Sequence, residues 1–174
     1  MNFDSLGSKI AKQDENAFKE LYEQSWKLVY SISFSILKDQ FSAENIAQDT
    51  FVSVWEHAKD FRGKGFKTWM LTIARNKSLN LLKKNKHEFC VDFSENESLE
   101  GKYFVEENFE ISIALKMAME KLNELDRQIV FMKTSGLKMK EIAKILEMPR
   151  GTASWRYSEA LKKLKRELEG AYEN

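Results

Sequence analysis

The stretch that most constrains how this chain folds is Leu137–Leu164, LKMKEIAKILEMPRGTASWRYSEALKKL. It reads as a helix, a turn centred on Glu147-Met148-Pro149, and a second helix with a basic outer surface. Proline suits the first turn of a helix, where its missing N–H has no intrahelical partner. In the first helix Ile142, Ala143, Ile145 and Leu146 supply an inward face, and Ala143 is small enough for a close crossing. In the second, Ala153, Tyr157, Ala160, Leu161 and Leu164 repeat at the spacing of a buried helical stripe. At about 100° per residue, Trp155, Ser158 and Lys162 point away from that stripe, with Ser154, Arg156 and Glu159 on its flanks. This is the layout of a helix-turn-helix whose second helix enters the DNA major groove. The competing reading is an ordinary helical hairpin with a solvated face.

The charge distribution favours nucleic acid where the net charge of +1 is silent. Phe61–His87 holds eight Lys/Arg and no acid, Glu88–Glu110 holds eight Asp/Glu and one Lys, and Leu137–Arg166 holds nine Lys/Arg and three Glu. Two basic segments therefore flank an acidic one. The single cysteine, Cys90, has no internal disulfide partner, and neither it nor His57 or His87 has metal-ligand spacing, so no metal and no cofactor are expected. No apolar run approaches the roughly 18 residues of a membrane span, and the first residues lack a signal-peptide core, so a soluble cytoplasmic protein is expected. One Pro, seven Gly and helical spacing throughout, without period-2 strands, give an all-α chain: two small helical domains joined by a flexible acidic linker.

In order, a first helix runs from about Asp14 to Leu37 with Phe18, Leu21, Tyr22, Val29, Ile32 and Ile36 as its apolar stripe. Ser42 is expected to cap a second helix. There Ala43, Ile46, Ala47, Thr50, Phe51, Val54, Trp55 and Ala58 form one continuous stripe, opposite a polar face of Asn45, Gln48, Asp49, Ser53 and Glu56. The loop Phe61-Arg62-Gly63-Lys64-Gly65-Phe66 sets two aromatics beside cations, the composition of a single-strand nucleic-acid site. The same aromatics also suit anchors of a loop on the core. A third helix, Phe66 to about Lys86, is expected to bury Phe66, Met70, Ile73 and Leu81, with Trp69 and Ala74 at the edge. Its remaining surface carries Lys67, Arg75, Asn76, Lys77, Lys83, Lys84 and Lys86. Glu88–Glu107 reads as a linker, either a passive tether or a strand whose charge suits a positive channel of a partner. A second domain begins near Asn108, with helices on Ile113, Ala114, Met117, Ala118 and Leu122, then on Leu125, Ile129, Val130 and Met132, and Gly136 as C-cap. The tail Glu167–Asn174 is expected to fray.

Two blocks carry a family likeness: FKELYEQSWKLVY with SAENIAQDTFVSVWEHAKDFRGKGFKTWMLTIARNKSLNLLKK, and LNELDRQIVFMKTSGLKMKEIAKILEMPRGTASWRYSEALKKLKREL. Together they resemble extracytoplasmic-function sigma factors, the small two-domain branch of bacterial RNA polymerase sigma factors. The likeness covers most of Phe18–Leu168 except the linker. It implies a region 2-like domain at 1–87, the acidic linker at 88–107 and a region 4-like helix-turn-helix domain at 108–174. It further implies a non-enzymatic factor that recognises −35 DNA and melts −10 DNA. Its implied partners are core RNA polymerase (β′ clamp and β flap), promoter DNA and an anti-sigma factor, without membrane insertion. By position, Asn45, Gln48, Asp49 and Glu56 match the polymerase-binding helix. Phe61, Phe66, Trp69 and Asn76 match the part that captures a flipped −10 base, with Arg62, Lys64, Lys67, Arg75 and Lys77 on phosphates. Arg150, Thr152, Ser154, Trp155, Arg156, Ser158 and Lys162 fall on the −35 reading helix. Asn45, Ser154, Trp155 and Glu159 depart from the family's usual residues. The alternatives from other classes are a stand-alone helix-turn-helix regulator and a nucleic-acid-processing enzyme, the latter without a carboxylate cluster, Cys/His constellation or phosphate-binding loop.

Overall fold

In a computed structural model the chain is described at residues 2–88 and 109–172, with the side chains of 86–88, 109–113 and 171–172 undescribed. It divides into two units, residues 1–98 and 99–174. All regular structure among the described residues is helical. The expected acidic linker falls almost wholly outside the described residues.

The first unit contains α1 (Phe3–Ile10), α2 (Glu15–Leu37), α3 (Gln40–His57), a 3₁₀ turn at Ala58–Asp60, and α4 (Phe66–Glu88). Helix α2 starts where Asp14 accepts the Ala17 amide at 3.0 Å, a side-chain cap for a donor without an intrahelical partner. It buries Ala17, Leu21, Ser25, Val29, Ile32 and Ile36, one stripe of helical period. Lys38 closes it in the left-handed conformation at φ 57°. The cap of α3 is Asp39, whose carboxylate accepts the Ser42 amide at 2.7 Å. Ser42 is thus a first-turn residue and not the cap, because Asp39 three residues earlier already reaches its amide. The stripe Ala43, Ile46, Ala47, Thr50, Phe51 and Val54 is buried as its period predicts.

Phe18 and Tyr22 belong to a second layer instead of the deepest core. Phe18 meets Trp55 at 5.0 Å between ring centroids, Tyr22 meets Phe51 at 4.8 Å and Trp26 at 5.1 Å. The Phe18–Trp55 and Tyr22–Phe51 pairs join α2 to α3 and the Tyr22–Trp26 pair lies along α2, each adding about 0.5–1.5 kcal/mol beyond area burial. Buried hydroxyls lie among the apolar side chains because each finds a carbonyl one turn back: Ser25 on Leu21, Ser33 on Val29, Thr50 on Ile46, Ser78 on Ala74. Helix α4 buries Phe66, Met70, Leu71, Ala74 and Ser78. Ile73 and Leu81, expected in the core, are only half-buried, since the helix is rotated to bring Leu71 and Ala74 inward.

Sequence periodicity did not reveal α1. It starts at Asn2, which caps Ser5, and buries Leu6, Gly7 and Ile10. Its contacts run to α2, the 3₁₀ turn and α4.

The second unit contains α5 (Phe109–Glu120), α6 (Glu124–Thr134), α7 (Met139–Ile145) and α8 (Arg150–Tyr172). Ala118, Leu122, Val130, Ala160 and Leu164 form a core cluster, with Met119, Tyr157 and Leu168 packed against it. Arg127 ties the α5–α6 corner by donating to the carbonyls of Met119, Glu120 and Leu122 at the end of α5. Gly136, at φ 84°, ends α6; its amide reaches the Lys133 carbonyl while that of Leu137 reaches Met132. The α7–α8 turn repeats that geometry with Glu147 at φ 53°, its amide on Lys144 and the Met148 amide on Ala143. Ile142, Ala143, Ile145 and Leu146 are buried. In α8, Ala153, Ala160 and Leu164 are buried and Tyr157 is half-buried. Leu161, expected in the stripe, is 42% exposed. Helix α8 continues past Glu167 to Tyr172, with Lys121 donating to the Glu167 carboxylate. That hydrogen bond holds the Glu167 carboxyl below its ordinary value, the charges of Lys121, Lys163 and Arg166 adding to it.

Candidate nucleic-acid interface

In the first unit an open depression of about 630 Å³ lies between the end of α3 and the start of α4, lined by Ser53, His57, Asp60, Phe61, Arg62, Trp69 and Ile73. Its aromatic wall is Phe61 against Trp69, with centroids 5.2 Å apart. Both residues are half-buried. The lining also includes polar groups from α3 and the turn: Ser53, His57 and Asp60, with His57 Nδ1 3.6 Å from Asp60 Oδ2. Aromatic rings beside hydrogen-bonding groups are what an unstacked base requires. The sequence reading named Phe61, Arg62 and Trp69 but missed Ser53, His57, Asp60 and Ile73. These come from another helix or from a residue assigned to the core, and only folding brings them to one place.

Phe66 does not belong to that wall. Its side chain is fully buried, touching Phe61 edge-on at 5.3 Å and Trp69 at 5.2 Å from beneath. It supports the two rings that line the depression. Along α4, Trp69, Ile73 and Asn76 share one face, within about 40° of Trp69, and Lys77 lies about 80° from it. Arg75 lies about 120° from Trp69 and Lys67 about 160°, so neither shares that face. Lys67 Nζ stands 5.5 Å from the Phe3 ring centroid, a cation–π contact to α1. Arg62 and Lys64 are exposed on the loop.

Helix α3 presents Asn45, Gln48, Asp49 and Glu56 to solvent, as their position opposite the stripe predicts. Two apolar residues join them: Phe41, 72% exposed, and Val52, 54% exposed. At about 100° per residue all six fall within a 100° sector. The signal was available, since Phe41 and Val52 are apolar residues outside the buried stripe.

In the second unit α8 exposes Arg150, Thr152, Trp155, Ser158, Glu159 and Lys162, and Trp155 is 62% exposed. Lys162 donates to Glu159 at 2.8 Å, an exposed pair. Ser154 is half-buried. Arg156 turns toward α6, where it donates to Asp126 Oδ1 at 2.7 Å, and Asn123 donates to the other oxygen of that carboxylate at 2.6 Å. The Arg156 guanidinium therefore ties two helices of the unit together.

Among the described residues no group of three or more His, Cys, Asp or Glu is placed to hold a metal ion, and no helix is long and apolar enough to cross a membrane. Residues 21–88 match the family model of Sigma-70 region 2, and residues 112–164 match that of Sigma-70 region 4. The chain is 26% identical over 178 residues to the ECF RNA polymerase sigma factor SigW of Bacillus subtilis (strain 168), covering 92% of this chain and 95% of that protein. It is 28% identical over 82 residues to the ECF RNA polymerase sigma factor SigK of Mycobacterium tuberculosis (strain ATCC 25618 / H37Rv), covering 45% and 43%. Among solved structures it is similar to the sigma factor RpoE in complex with the anti-sigma factor NepR from Bartonella quintana, with a TM-score of 0.71 at 23% identity over 87% of this chain and 96% of that one. CnrH in complex with the cytosolic domain of CnrY gives 0.69 at 20% identity over 95% and 96%. At those identities the structural likenesses show the shared fold.

Proposed function

The chain belongs to the extracytoplasmic-function family of RNA polymerase sigma factors, and on that premise we propose how its parts divide the work of promoter recognition and opening. As a sigma factor it binds core RNA polymerase and promoter DNA and directs transcription initiation. We assign polymerase docking and −10 melting to residues 1–87, tethering to 88–107 and −35 reading to 108–174. The α3 face of Asn45, Gln48, Asp49 and Glu56 docks on the β′ clamp, with Phe41 and Val52 as its apolar anchors. Desolvated apolar side chains ringed by polar ones are the usual carriers of interface affinity.

The observation that carries the −10 assignment is the depression walled by Phe61 and Trp69 at the head of a helix rich in Lys and Arg. Extruding a base from the stack costs a few kcal/mol. Stacking on an aromatic side chain returns about 1–3 kcal/mol per base. One base between these walls, hydrogen-bonded to groups such as Ser53 or Asp60, brings the exchange near balance. Arg62, Lys64 and Lys77 then hold phosphates and make capture depend on salt. The work is done by binding energy, so the chain needs no catalytic residue of its own.

On α8, Arg150, Thr152, Trp155, Ser158 and Lys162 face the −35 major groove. The factor acts in the cytoplasm, where the polymerase and the chromosome are, and an anti-sigma factor covers its polymerase-binding faces when it is idle. The test is run-off transcription from genomic DNA with core polymerase, mapping start sites. Discrete new starts that share −35 and −10 sequences are expected. Tight operator binding without polymerase and no new starts would instead mark a stand-alone regulator.

A further inference from the structure

Helix α1 has no part in the assigned interfaces, yet it holds the head of α4 from behind. Asp4 Oδ1 accepts the amides of both Gly65 and Phe66, each at 2.8 Å, from 61 and 62 positions earlier in the chain. Gly65 stands where a helix normally carries a side chain that caps its first donors; its carbonyl already accepts the Trp69 amide at 3.0 Å. With φ at 97° the position favours glycine, and glycine has no side chain to cap with. The first turn of α4 contains no acid, and cations flank it at Lys64 and Lys67. No side chain at the head of α4 supplies an anionic cap, and the capping carboxylate comes from α1. Two further ties run the same way. The α-carbon of Gly7 lies so close to the Phe66 ring that an added Cβ would stand 2.4 Å from a ring carbon, and Lys67 rests over Phe3.

We infer that Asp4 is a positioning residue for the −10 loop. By holding the Gly65 and Phe66 amides it sets where Arg62–Gly65 leaves the core, and so how Phe61 stands against Trp69. The inference rests on reading that depression as the −10 site. Without Asp4 two amides at the helix head turn to solvent, and the loop samples positions in which the aromatic wall is not formed.

The test uses the full chain, core polymerase and a promoter first mapped with the unaltered protein. Asp4→Ala is expected to bind core polymerase within about twofold of the parent. Its holoenzyme should bind a single-stranded oligonucleotide of the non-template −10 segment about tenfold more weakly, and open duplex promoter more slowly by a similar factor. Asp4→Asn keeps an acceptor oxygen and should recover most of both. Parent-like oligonucleotide binding by Asp4→Ala, or an Asp4→Asn protein as impaired as Asp4→Ala, would overturn the assignment. Loss of core binding along with DNA binding would make Asp4 a general structural residue and overturn it too. If the unaltered protein yields no promoter-dependent transcript at all, the underlying −10 reading fails, a result distinct from these.

Discussion

Replacing Arg156 with alanine separates two roles that its sequence position leaves mixed, phosphate contact and helix tie. The guanidinium donates to Asp126 at 2.7 Å, with the two side chains only 30% and 15% exposed. At that length the hydrogen bond is charge-assisted. Such bonds contribute about 1.5–3 kcal/mol net, and the variant leaves Asp126 mostly buried with Asn123 as its remaining side-chain donor. A loss of about 2 kcal/mol follows. For a domain of this size that lowers the melting temperature by roughly 8–16 °C. Thermal unfolding of the full chain, with hydrogen exchange at α6 and α8 amides, reads it directly. A cycle with Asp126→Ala should show a coupling of about 1–2 kcal/mol. On DNA, the structural role leaves the salt dependence of holoenzyme binding unchanged, whereas a lost phosphate contact would reduce the log–log slope by about 0.9. Additive single variants together with a reduced slope would refute the tie and return Arg156 to the DNA backbone.

Gly7→Ala places a methyl group 2.4–2.8 Å from the Phe66 ring; overpacking costs about 1–3 kcal/mol against a helix-propensity gain of about 1 kcal/mol. A lower melting temperature is expected, and a higher one would mean that the ring yields freely. Phe61→Ala with Trp69→Ala should impair strand opening and spare polymerase binding; failure of a pre-melted bubble template to restore transcription would rule out a melting role. Phe41→Ser and Val52→Ser should each weaken core polymerase binding by about 1–2 kcal/mol without lowering the melting temperature, because both side chains are exposed. Affinity within twofold of the parent would remove them from the docking face.

Helical periodicity is a local property, and whatever depends on it was readable from the chain alone. The stripes Ala43–Val54 and Ala153–Leu164, the turn at Glu147–Pro149 and the exposed faces of α3 and α8 all follow from residues within a few turns of one another. The two family blocks are runs of the same kind, so the family was legible before any fold. What the tertiary structure decided are matters of long-range pairing. Phe66 reads equally well as a base contact or a core anchor until α1 is seen to close over it. Arg156 reads as a groove cation until α6 brings Asp126 to it, 30 positions away. Leu161 and Ile73 satisfy the helical period yet stay partly exposed, because the period gives the stripe but not how widely a neighbouring helix covers it. The depression beside Phe61 takes its polar groups from α3 and the 3₁₀ turn and its aromatic rings from the loop and α4, and Asp4, 61 positions earlier, holds that loop. Residue types were set along the chain; which of them share a site was set by packing that no local spacing encodes.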